Sequence, residues 1–269
     1  NMAFPLKNQH IPREQIDQMV LETAKLLELD KLLQRYPRDL SGGQRQRIAI
    51  GRALVRKPKL FLMDEPFSNL DPVLRGKLRT ELKRIHSKMG TTFIYVTHDQ
   101  MEAFALGDRI VVMEHGQIRQ VGTPQELFNH PANLYTASFV GTPPMNLFRD
   151  VALKQGSDGW YVTLFDNKYL LPPAKAAGLT AADQGRKVTL GIRPVHITLG
   201  DQGIVATVEH SDVVEAEMHI QLRVGQQELL AIVPATNFGT FLRGRKVHFQ
   251  LSLQRFHLFD PETEERIGL

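Results

Sequence analysis

The chain has 269 residues, 42% of them hydrophobic and 23% charged, with a net charge of +4 and no cysteine. That composition fits a globular chain with room for one large domain or two small ones. It excludes disulfides and thiolate metal sites, and no apolar run approaches the length of a bilayer-spanning helix. Residues 1–150 hold 21 Lys and Arg against 16 Asp and Glu, while residues 151–269 hold 12 against 13. The basic excess therefore lies in the first part, and an electrostatic hold on nucleic acid by the second part has little support.

Residues 13–29 read as an amphipathic helix, with Ile16, Met19, Val20, Leu26 and Leu27 on one stripe. Ser41 is placed to cap a second helix running to about residue 56, where Pro58 stops it. Residues 59–63 form a short apolar run suited to a buried parallel strand. Leu74, Leu78, Leu82, Ile85 and Met89 then recur at helical spacing up to Gly90. Residues 92–96 read as the next buried strand, 100–106 as a helix, and 109–113 and 117–121 as a hairpin turning at His115-Gly116. Repeated strand–helix–strand units predict a mainly parallel sheet with helical cover. After Asn146 the pattern changes to short strands, at 160–165, 187–192, 204–210, 217–224, 229–233 and 247–251, punctuated by Pro172-Pro173 and Gly225. Met218, Ile220, Leu222 and Val224 alternate strictly with polar residues, which predicts a small β-barrel or sandwich beginning near residues 149–151.

Four runs carry possible chemistry. The strand at 59–63 ends in Asp64-Glu65-Pro66, and strand ends of parallel sheets open onto the ligand crevice. One carboxylate there can hold Mg²⁺ and its neighbour can polarise a water; a solvated acidic turn is the plainer alternative. Thr97-His98-Asp99 follows the second strand, and parallel pairing would bring His98 to the same edge as Asp64 and Glu65. A histidine there can donate to a phosphate, or simply precede a helix capped by Asp99. Ser68-Asn69-Leu70-Asp71-Pro72 suits a turn and a cap for the Leu74 helix. Ser41-Gly42-Gly43-Gln44 sits at a helix mouth, where free N–H groups attract anions and glycines admit a phosphate to the backbone; a Gly-rich cap explains the same run.

Taken in order, these runs resemble the ATP-binding subunits of ABC transporters. LSGGQRQR at 40–47 matches the signature motif, LFLMDEP at 60–66 the Walker B strand with its glutamate, SNLD at 68–71 the D-loop, and VTHDQ at 96–100 the switch-histidine region. VGTPPMN at 140–146, GIRPVH at 191–196 and HLFDPETEERI at 257–267 are similar to the junction and regulatory β-domain of the maltose and glycerol-phosphate type of importer ATPase. The resemblance implies an α/β fold: a partial P-loop NTPase domain of ABC type, with a mainly parallel sheet and a helical subdomain, followed by a small all-β, OB-like (TOBE-type) regulatory domain. It places the ATPase portion at 1–149, with the helical subdomain at about 1–57 and the catalytic core at about 58–149, and the β-domain at 150–269.

The resemblance also implies roles. Ser41, Gly42, Gly43 and Gln44 would bind, in trans, the ATP held by an opposite subunit, and Asp64 would orient Mg²⁺. Glu65 would polarise the attacking water, His98 would contact the γ-phosphate, and Ser68 and Asp71 would couple the two sites of a dimer. The implied partners are a second ATPase subunit, membrane-spanning permease subunits met by the segment 13–56, and indirectly a substrate-binding protein, at the cytoplasmic face of the inner membrane. No nucleic acid is implied. The phosphate-cradling loop GxxxxGK[ST] of this family is absent from the 269 residues, as are its glutamine loop and adenine-stacking aromatic. An amino-terminal portion is therefore expected to be missing, and this chain alone is expected neither to bind ATP tightly nor to hydrolyse it. With strands missing, one face of the sheet is expected to stand uncovered. A non-catalytic module that pairs with a full-length ATPase subunit is the alternative. A nucleic-acid-binding barrel fits the charge of the second part and its single Trp160 poorly.

Overall fold

Apolar periodicity and well-formed caps account for the first half of the chain. The computed structural model describes residues 1–68, 70–235 and 241–268, and the chain divides into two compact units, Asn1–Asp108 and Arg109–Leu269.

The first unit comprises α1 (Phe4–Lys7), α2 (Arg13–Leu26), α3 (Gly42–Leu54), β1 (Leu60–Asp64), α4 (Pro72–Met89), β2 (Thr92–Val96) and α5 (Gln100–Leu106). Strand β1 pairs parallel with β2 in the register Leu60 to Thr92 through Asp64 to Val96. Helix α4 starts at an Asp71 cap with Pro72 in its first turn, and ends at Gly90 in the left-handed conformation, where a side chain would be strained. Its buried stripe of Leu78, Leu82 and Ile85 shares one core with Phe61 and Met63 of β1 and with Leu27, Ile50 and Leu54. Each such side chain contributes about 1.5–3 kcal/mol by leaving water.

The expected buried strands are buried on one side only. Phe61 and Met63 face the core, while Leu60, Leu62, Ile94 and Val96 are 44–68% exposed. Parallel strands are ordinarily covered on both faces. Here no described element covers the second face, and β1–β2 is the only parallel pairing among the described residues. No helix among the described residues is long and apolar enough to cross a membrane.

The second unit opens with the hairpin β3 (Ile110–Glu114) and β4 (Gln117–Gly122), followed by α6 (Pro124–Asn129) and α7 (Leu134–Phe139). Next come β5 (Asn146–Gly156), β6 (Gly159–Leu164), β7 (Asn167–Leu170), α8 (Pro173–Ala176), β8 (Lys187–Ile192) and β9 (Ile197–Gly200). It closes with β10 (Ile204–Val214), β11 (Glu217–Val224), β12 (Gln227–Pro234), β13 (Lys246–Leu251), β14 (His257–Phe259) and β15 (Arg266–Ile267). Two antiparallel sheets, β12-β11-β10-β13-β9 and β15-β14-β8-β5-β6-β7, enclose one core that includes Phe148, Leu153, Val162, Leu190, Ile220, Leu222 and Phe249. Strand β5 forms where no strand is expected, and β10 outruns its expected end at residue 210; each carries a register shift, between Phe148 and Val151 and between Val208 and His210. Asp150, inside the first shift, has a positive φ of 58°. A bulge of this kind breaks the period-2 alternation that reveals a strand.

Packing divides the chain at Asp108 and Arg109, ahead of the change of pattern near residue 150, which falls inside β5. The cause is that α6 and α7 pack with the β-rich part. Leu134 and Ala137 share a cluster with Met145 and Phe259. Arg193, only 1% exposed, lies over the Phe128 ring at 3.9 Å, donates through Nε to the Phe128 carbonyl at 2.9 Å, and donates to the Val140 carbonyl. Burial pushes the guanidinium pKa down to about 10. This one side chain joins the 140–146 and 191–196 motifs. Asn146 joins the two sheets, donating to and accepting from the backbone of Leu230 at 2.9 and 2.7 Å.

Arg193→Ala leaves the buried Val140 carbonyl and the half-buried Phe128 carbonyl without this donor, and should destabilise the second unit by about 2–4 kcal/mol. Arg193→Met, which keeps most of the volume, should lose less. Urea unfolding followed by the buried Trp160, the single tryptophan, measures both.

Candidate functional site

The parallel pairing of β1 and β2 delivers the ends of both strands to one edge. The ladder continues one residue beyond β1, because the Glu65 N–H donates to the Val96 carbonyl at 2.9 Å. Glu65 takes a positive φ of 41° at that point, an uncommon conformation for a residue with a side chain. Its carboxylate meets His98, with Oε1 and Nδ1 2.9 Å apart. Both side chains are open to solvent, His98 at 71% exposure. The hydrogen bond to Glu65, and then the charge of Glu65, raise the His98 pKa above its ordinary 6.5. Asp64 stands next to this pair, exposed, its carboxylate without a hydrogen bond or ion pair among the described residues.

The loop after β1 is held by its own polar groups. Ser68 donates through Oγ to the Glu65 carbonyl at 3.0 Å, and Asp71 caps α4 by accepting from the Leu74 N–H at 2.9 Å. Asn69 lies outside the described residues.

At the mouth of α3, Ser41 and Gln44 form a reciprocal capping box. Ser41 Oγ accepts from the Gln44 N–H at 3.3 Å, and Gln44 Oε1 accepts from the Ser41 N–H at 3.0 Å. What comes close to Gly43 within the chain is Leu74, whose Cδ1 would lie 2.8 Å from a Cβ built at that position. Gly42 has open space, its nearest such contact being 3.9 Å. Gln46 donates to the Pro66 carbonyl at 2.7 Å and ties α3 to the loop after β1. No hydrogen bond or ion pair among the described residues joins Ser41–Gln44 directly to Asp64, Glu65 or His98.

Behind His98 stands a cluster that pattern reading does not reveal. Glu102, 3% exposed, accepts from the hydroxyls of Tyr95 and Thr97, each at 2.8 Å. Arg75 donates to Asp99 at 3.0 Å and approaches Glu102 at 3.8 Å. Burial acts against the Asp99 carboxylate, but donation from the N–H groups of Glu102 and Met101 and from Arg75 holds its pKa below the usual value. Asp99 also caps α5, accepting from the Met101 and Glu102 N–H groups. Burial and the bond to Glu102 push the Tyr95 phenol up. The cluster fixes the turn that carries His98. Its one outward sequence sign is Asp99 at a helix start, since Arg75, Tyr95 and Glu102 belong to three different elements.

A family model described as ABC transporter matches residues 5–68, which include Ser41–Gln44, Asp64 and Glu65; one described as MalK OB fold domain matches residues 141–197. The multiple sugar-binding transport ATP-binding protein MsmK of Streptococcus mutans is 43% identical over 99% of this chain and 74% of its own length. The trehalose/maltose import ATP-binding protein MalK of Thermococcus litoralis is 42% identical, and the sn-glycerol-3-phosphate import ATP-binding protein UgpC of Escherichia coli 43%, each over 99% of this chain and 73% of its own length.

The chain belongs to the ABC transporter ATP-binding proteins.

Membership makes it an ABC-type ATPase by family, with an OB-fold domain after the ATPase portion. At the mouth of α3 the two adjacent glycines differ in what surrounds them. Gly43→Ala should destabilise the first unit by about 1–3 kcal/mol through overpacking against Leu74, and adding Leu74→Ala should recover part of that loss. Gly42→Ala should be neutral, or stabilising by up to about 1 kcal/mol, because alanine is the better helix former. Urea unfolding followed by far-ultraviolet circular dichroism ranks the three.

The His98–Glu65 contact has a defined pH dependence. A raised folded-state pKa means that its stabilisation is complete below 6.5 and is lost as the pH climbs through the higher folded value. Glu65→Gln should bring the His98 pKa back toward 6.5, read from the imidazole proton shifts in an NMR titration.

Proposed function

We propose that these residues serve in the ATP-hydrolysing subunit of an importer for a sugar or a polyol phosphate, acting at the cytoplasmic face of the cell membrane, and that the 269 residues alone do not hydrolyse ATP. The 2.9 Å Glu65–His98 contact, beside Asp64 at the paired strand ends, carries this reading. The import relatives named above support the substrate class.

Residues 1–149 serve as the ATPase portion and 150–269 as the regulatory β-domain. Glu65 polarises the attacking water, and His98 holds Glu65 in place and donates toward the γ-phosphate. Ser41, Gly42, Gly43 and Gln44 meet the phosphates of ATP held by a second ATPase subunit, because the free N–H groups at the mouth of α3 favour an anion. Ser68 and Asp71 face that second subunit and link the two sites. The residues fit a magnesium ion in its usual manner. Asp64 is exposed and free to act as one carboxylate ligand, and no group of three potential ligands among the described residues builds a closed cage. Asp64 would hold the ion, which would supply charge neutralisation to the phosphates. Permease subunits, and through them a substrate-binding protein, complete the assembly.

The absence of GxxxxGK[ST] from the 269 residues favours a second reading, in which they act as a non-catalytic module that pairs with a full-length ATPase subunit. Both readings expect the 269 residues alone to lack tight ATP binding, and a chimera separates the two. Titration of the 269-residue chain with Mg-ATP should show no binding in the micromolar range. A chimera that carries the phosphate-loop segment of a relative ahead of these residues should hydrolyse ATP, and Glu65→Gln should slow it by about 10²–10⁴-fold. An inactive but folded and ATP-binding chimera would establish the module instead.

A further inference from the structure

A cavity in the second unit gathers six basic side chains from five separate stretches of the chain. Its volume is about 220 Å³, and its lining includes His130, Lys175, His196, Arg255, His257 and Arg266, but no Asp or Glu. Lys175 lies on α8, His257 on β14 and Arg266 on β15; His130 follows α6, and His196 and Arg255 precede β9 and β14. Residues 151–269 as a whole hold 12 Lys and Arg against 13 Asp and Glu, and three of those cations, Lys175, Arg255 and Arg266, line this cavity without an acidic neighbour in the lining. Among the described residues none of Lys175, Arg255 and Arg266 has a carboxylate within ion-pair distance. His196 Nδ1 is buried with no hydrogen-bond partner.

The arrangement is costly as it stands. Burial first, then Arg266 and Arg255, hold Lys175 down to about 8. Burial, followed by Lys175, Arg193, Arg266 and His130, pushes His257 down to about 3. Burial, Arg255 and Arg193 lower His196. Convergent cations without a counter-charge are the complement of an anion. Arg255 and Arg266 offer planar forks that suit tetrahedral oxyanions, Lys175 a compact charge, and His196 a spare ring nitrogen. The cavity is smaller than the roughly 300–1,000 Å³ of drug-sized sites, which favours a small head group over a nucleotide.

We propose that this cavity is a binding site for a small phosphate-type oxyanion, either inorganic phosphate or the phosphate group of a small phosphorylated metabolite. The site stands on the second unit alone and does not depend on the nucleotide reading of the first.

Thermal unfolding of the 269-residue chain, followed by Trp160 fluorescence, tests it with sodium phosphate, ethyl phosphate and sodium chloride at equal ionic strength. Either phosphate should raise the unfolding midpoint saturably beyond chloride. A larger effect of inorganic phosphate identifies the free ion, and a larger effect of ethyl phosphate identifies a metabolite ester. Lys175→Gln and Arg266→Gln should each weaken binding at least tenfold. Lys175→Gln should also raise the midpoint in chloride alone, because it removes an unpaired half-buried cation, whereas a structural lysine would lower it. Arg255→Gln, outside the strands, repeats the test if Arg266→Gln does not fold. Equal midpoints in phosphate and chloride, or variants that bind as the parent does, overturn the proposal.

Discussion

Parallel pairing of β1 with β2 is the constraint on which the rest of the first unit depends. The register puts Asp64 opposite Val96, so the chain leaves both strands at one edge, and the Glu65 N–H is spent on the Val96 carbonyl. That bond turns Glu65 toward the loop bearing His98. It also leaves the following residues free to form the Asp71 cap from which α4 returns across the sheet. The Phe61 and Met63 side chains secure the pairing from below through Leu78, Leu82 and Ile85. Site geometry and core packing are thus two consequences of one register, and a slip by a single residue would displace both.

Much of this was legible in the sequence. The apolar runs, the helical spacing after Leu74, the Ser41 and Asp99 caps and the meeting of His98 with Glu65 all follow from local pattern and one topological rule. What escaped was what local pattern cannot encode. Strands β5 and β10 pass through bulges, which erase the alternation that would have announced β5 at all and β10 at its full length. The Arg75, Asp99 and Glu102 cluster joins an early turn of α4 to the start of α5, and its members look like ordinary solvated charges along the chain. Gly43 was legible as a place of close approach, but the neighbour inside the chain, Leu74, emerges only from the packing of two helices.

The second unit shows the same division between pattern and assembly. The strictly alternating β11 declares itself, with Met218, Ile220 and Leu222 inward. The capture of α6 and α7 rests instead on Arg193, which anchors to the Phe128 and Val140 carbonyls more than fifty residues earlier. Two stretches that read as separate family text are one structural joint. The cationic cavity likewise draws on six positions spread from 130 to 266.

The backbone at Glu65 has a consequence for anyone who reshapes this protein. A left-handed φ at a residue with a side chain carries a cost that glycine would not. Stability by itself therefore favours discarding this carboxylate. A laboratory selection scored only on folding or heat resistance would drift toward glycine at position 65 and lose the carboxylate that meets His98. Retaining it requires that the selection also score the contact with His98.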